Sequence, residues 1–134
     1  MHRPLSLVLY AISAIQGIAA VALLFASRWV VSMAFPLLAV DSNGFVLALL
    51  KGFGLVVLGF AYLTCCAARD PVRYVAVINA LIFLALGAAV LNLYAVIALH
   101  VPPSYVSYLL TRTAIQAVLA AILLILRPRV VAAA

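Results

Sequence analysis

The sequence predicts an all-α integral membrane protein, a four-transmembrane-helix antiparallel bundle forming one domain over residues 1–134. Two observations predict it. The chain is 71% hydrophobic and 7% charged, against roughly 45–50% apolar and about 25% charged in a soluble domain. So short a chain would have to set most of its Leu, Ile, Val and Phe against water, which the hydrophobic effect opposes. Crossing about 30 Å of hydrocarbon takes roughly 20 helical residues, and four apolar runs are long enough: 5–26, 45–68, 74–99 and 104–126.

The first span opens after Arg3-Pro4 and closes at Ser27-Arg28-Trp29. Ser13, Gln16, Gly17 and Ala20 fall at i, i+3, i+4 and i+7, a small and polar face expected to turn towards other helices. Ala20-Val21-Ala22 mimics a signal-peptide processing site, but the apolar run continues past it, so the segment reads as a span. The connection 27–44 is long and oily. It is expected to lie in the membrane interface as a short helix stopped before Pro36, or to serve as a docking surface for another subunit. Its candidate contact residues are Trp29, Met33, Phe35 and Asp41.

The second span follows the N-cap candidates Asp41-Ser42-Asn43-Gly44. It carries Lys51, a packing groove of Gly52, Gly54 and Gly59, and the adjacent Cys65 and Cys66. The cysteines lack C-x-x-C spacing and read as small packing residues. Arg69-Asp70-Pro71-Val72-Arg73 turns the chain into the third span, where Ala85, Ala88, Asn92 and Ala95 repeat the small, polar face. Val101-Pro102-Pro103-Ser104 leads into the fourth span, with Arg112 and Gln116 one helical turn apart. Arg127-Pro128-Arg129 closes it.

An even number of spans puts both termini on one side, with Arg3, Arg69, Arg73, Arg127 and Arg129; outside the spans the other side has only Arg28. The positive-inside rule makes the first side cytoplasmic. Trp29, Tyr105 and Tyr108 then belong to the outer interface, and Tyr10, Tyr62 and Tyr74 lie towards the inner one. The net charge of +6 is accounted for by lipid phosphates and orientation, with no basic stripe of the kind that binds nucleic acid.

Lys51 and Arg112 stand about six and eight residues inside their spans, roughly 9–12 Å below the outer boundary. Charges at such depth are costly, and function is the default hypothesis for them. Three readings compete. The cations snorkel to headgroups or pair with Asp41; or Lys51, Asn92, Arg112 and Gln116, with Gln16 deeper, capture a lipid headgroup, a quinone carbonyl or another anion; or the cations meet a carboxylate of a partner complex.

No Asp or Glu lies within a span, which argues against a proton-coupled drug pump. His2 and His100 fall at opposite ends of the membrane and cannot share a haem iron. His100 could ligate a chlorophyll-like magnesium, although a helix-end His before Val-Pro-Pro is more often a polar cap. The sequence holds no Ser/His/Asp set, paired carboxylates, phosphate loop or metal-spaced cluster. A non-enzymatic chain is expected, with no cofactor beyond bound lipid or quinone.

Lys51-Gly52-Phe53-Gly54, Leu58-Gly59, Tyr62-Leu63 and Ala67-Ala68-Arg69-Asp70-Pro71 resemble small bacterial four-helix membrane proteins of the DoxX-like type. Those often show a basic residue before Gly early in the second helix and a charged turn after it; Lys51 stands where Arg is more usual. The resemblance implies a bacterial inner membrane and an accessory role to redox systems. The expected function is thus an accessory or assembly subunit of a larger redox or energy-transducing membrane complex, in contact with lipid and with other subunits or copies of itself. The alternative is a lipid-, quinone- or anion-binding protein or small carrier built on the cationic cluster.

Overall fold

The computed structural model describes residues 3–34, 44–98 and 101–128, with the side chains at all of these positions except 31, 34 and 44–46. Phe35, Asp41 and His100 lie outside the described residues. Five helices follow one another: α1 (Arg3–Phe25), α2 (Ser27–Ala34), α3 (Gly44–Arg69), α4 (Val75–Ala98) and α5 (Pro103–Leu126). Four of them, all but α2, are long and apolar enough to cross a membrane. Within these spans only 11–22% of residues are buried, and Ile18, Phe83, Ile97 and Ile125 are each more than 70% exposed. Lipid is the solvent that tolerates such faces, so the chain is an all-α, multi-pass membrane protein.

Helix ends fall within two residues of the expected ones, and the local chemistry explains the shifts. α1 starts at Arg3 and takes Pro4 into its first turn, where a missing N–H leaves no bond unmade. α5 starts at Pro103 behind Pro102, which adopts φ −52° and ψ 142°, the extended conformation that a following proline imposes. The Tyr105 N–H closes that first turn on the Pro102 carbonyl at 2.8 Å. Between α3 and α4, the Asp70 carboxylate accepts the Arg73 N–H at 3.1 Å, an Asx-type turn closed by Tyr74 N–H to the Asp70 carbonyl at 3.2 Å. The short helix expected before Pro36 is α2. Only Ala26 separates it from α1, and the ladder continues through that residue: Ala26 N–H bonds Ala22 O at 2.8 Å and Val30 N–H bonds Ala26 O at 2.9 Å.

The chain forms two compact units, Ser6–Arg69 and Asp70–Ala134 with Met1–Leu5. In the first unit α1 and α3 run antiparallel. Ser13 and Gln16 of α1 meet Ala61 and Thr64 of α3, while Ala20, Leu23 and Leu24 approach Gly54. A Cβ on Gly54 would lie 3.1 Å from Leu23 Cβ and 3.3 Å from the Ala20 carbonyl oxygen. Gly52 and Gly59 face open space, so the packing groove expected of three glycines reduces to one. In the second unit α4 and α5 form a helical hairpin. Ile78, Ile82, Ala85 and Ala89 lie buried along α4, and Ala120 and Leu123 along α5. The buried stripe of α4 thus passes through Ala89, where the sequence suggested Ala88.

Candidate functional site

Each unit holds its own polar contacts between helices. In the α4–α5 unit the Asn92 side-chain amide donates to Gln116 Oε1 at 3.1 Å. Both residues are half-buried. Running antiparallel from that bond, Ala89 lies near the level of Ala120 and Ala85 near that of Leu123, so small residues admit the second helix on the side where the amides meet.

In the α1–α3 unit Ser13 Oγ donates to the Ala61 carbonyl at 2.8 Å. Thr64 Oγ1 lies 2.7 Å from the Phe60 carbonyl and 3.1 Å from Gln16 Oε1. One hydroxyl proton cannot serve both oxygens. The shorter contact takes it, and the Gln16 amide is best satisfied with its NH₂ turned to the Thr64 lone pair, an orientation set by the bonding network. Thr64 is fully buried. With Ser13 it makes the polar contacts between α1 and α3; a single Thr in an apolar run gives no pattern, and the signal available was its place one turn from Phe60 on a face with Ala61 and Ala68.

Arg112 and Lys51 are both exposed. Arg112 Nη1 donates to the Tyr108 hydroxyl at 3.4 Å, and its Cζ lies 5.5 Å from the centre of the Tyr108 ring. The guanidinium therefore points back towards the start of α5, the direction in which helical side chains lean. The i, i+4 spacing of Tyr108 and Arg112 is the sequence signal for this contact. Lys51 has no hydrogen-bond or ion-pair partner among the described residues. Trp29 and Met33 project from α2 with 60% and 65% of their surface exposed.

No protein-family model, curated protein or solved structure matches the chain. What these groups can do follows from their own chemistry. The amide pairs stabilise helix association inside each unit and have a polar partner already. Lys51 and Arg112 are the span groups with donor capacity in reserve: three N–H on the ammonium, and the guanidinium N–H groups other than the one given to Tyr108. Among the described residues no three His, Cys, Asp or Glu gather as a metal site, and Cys65 and Cys66 are free thiols. Asp70 is the one carboxylate among the described residues, and it sits in the α3–α4 turn.

Proposed function

We propose that this membrane chain is a non-enzymatic accessory or assembly subunit of a larger membrane complex of the bacterial inner membrane, with both termini in the cytoplasm. Lys51 is the observation that carries the reading. Its ammonium lies seven residues into α3, about 10 Å from the start of the helix, exposed and with no described partner. An ammonium at that depth is costly unless it is drawn to the surface or met by an opposite charge, and a carboxylate on a neighbouring subunit would meet it. The resemblance of this part of α3 to DoxX-like proteins supports the same reading, as does the basic end of the chain for orientation.

Affinity purification in a gentle detergent tests it. A partner at fixed stoichiometry is expected, held by the native chain and by Lys51→Arg and lost in Lys51→Met. A stable lone monomer, or a partner indifferent to Lys51→Met, overturns the role given to this residue.

A further inference from the structure

We infer that the exposed face of α5 around Arg112 binds the phosphate of an anionic membrane lipid. Arg112 lies nine residues into α5, about 14 Å along the helix. Its charge meets no acid among the described residues of its own unit: Asp70 is at the other end of the α4–α5 hairpin, where its carboxylate holds the turn. Tyr108 fixes the guanidinium by a hydrogen bond to one nitrogen and by its ring face, and so aims the remaining N–H groups towards the helix start. That fork matches the paired oxygens of a phosphate, which a point charge such as Lys matches less well.

The same helix continues the match in both directions. Ser104, exposed two turns nearer the start of α5, adds a hydroxyl on the interface side of Arg112. Beyond Arg112 the exposed side of α5 holds an apolar groove. Ala114, Ile115, Val118, Leu119 and Ile122 line a shallow groove of about 410 Å³. Tyr108, Ile115 and Leu119 recur at i, i+7 and i+11 and so share one face. A phospholipid whose phosphate meets Arg112 would set its polar headgroup towards the helix start and its acyl chains towards the groove. The inference is independent of the accessory-subunit reading, which rests on Lys51.

The test places the full chain in nanodiscs of phosphatidylcholine and phosphatidylglycerol with matched acyl chains and counts retained lipid by native mass spectrometry. Phosphatidylglycerol is expected to be retained preferentially, and Arg112→Gln to lose that preference about tenfold, as for a charge-assisted hydrogen bond. Tyr108→Phe should lose part of it, while phosphatidylcholine retention stays unchanged in both. Equal retention by native chain and Arg112→Gln overturns the inference. So does displacement of the lipid by millimolar inorganic phosphate, which would make the site one for a small anion. Asp41→Asn separates the remaining source of counter-charge: an unchanged preference supports the lipid, and a preference that appears only in this variant assigns Arg112 to Asp41.

Discussion

Asn92 and Gln116 stand 24 residues apart in sequence and share one hydrogen bond between α4 and α5. In hydrocarbon neither amide can turn to water, so removing one strands the other. Asn92→Leu is expected to destabilise the chain by about 0.6 kcal/mol, with roughly 1.7 kcal/mol as the upper range for such bonds, measured by unfolding in mixed micelles. Gln116→Leu should do the same, and the double variant should lose less than the two singles combined; strict additivity would show that the bond contributes nothing. The inward polar faces were legible in the sequence as i, i+3, i+4 patterns in Ser13, Gln16 and Asn92. Their partners were not. Pairing depends on the register between helices, and Gln16 meets Thr64 across 48 residues, a separation on which no local pattern bears. The sequence gathered Lys51, Asn92, Arg112 and Gln116 into one cluster. Within the α4–α5 unit, the described hydrogen bonds join Asn92 to Gln116 and Arg112 to Tyr108.

The spans themselves were readable almost to the residue, because run length against bilayer thickness and the Pro, Asp and Arg punctuation are local signals. The closeness of α1 and α3 was not, since three glycines look alike in sequence. Gly54→Ala would set a methyl 3.1 Å from Leu23 Cβ and 3.3 Å from a backbone oxygen, neither of which can rotate aside. A loss of about 1–3 kcal/mol is expected, as for overpacking. Gly52→Ala and Gly59→Ala meet nothing within 4 Å and should hold or gain stability, by up to about 1 kcal/mol from helix propensity. The same unfolding assay checks all three; equal behaviour would mean that Gly54 sets no contact distance. For α2 the chain offers a convenient probe, because Trp29 is its only tryptophan. Its indole is exposed, and if α2 lies in the interface as the sequence expects, its emission in vesicles should be blue-shifted and quenched most by lipids brominated near the headgroups. Emission like that of tryptophan in water, or strongest quenching from the bilayer centre, would remove α2 from the interface.

Across the whole chain, the sequence expects charge to be sorted by side. Arg69 and Arg73 flank the α3–α4 turn and Arg127 follows α5, and four crossings would put all three on the cytoplasmic side. In a background with Cys65 and Cys66 changed to Ala, Ser42→Cys and Ser104→Cys should react with an impermeant thiol reagent on intact cells, and Ala133→Cys should not. Labelling of Ala133→Cys alone would invert the chain in its membrane. Bilayer thickness adds a mechanical consequence of the Ala26 junction. α1 has 23 residues, about 34 Å of helix, and a helix longer than the hydrocarbon tilts until its apolar length fits. Since the Ala26 carbonyl still holds Val30, α2 is a short lever on the end of that tilting rod. With α2 in the interface as the sequence expects, a thinner or thicker membrane would shift Trp29 and Met33 together with α1, without any ligand acting.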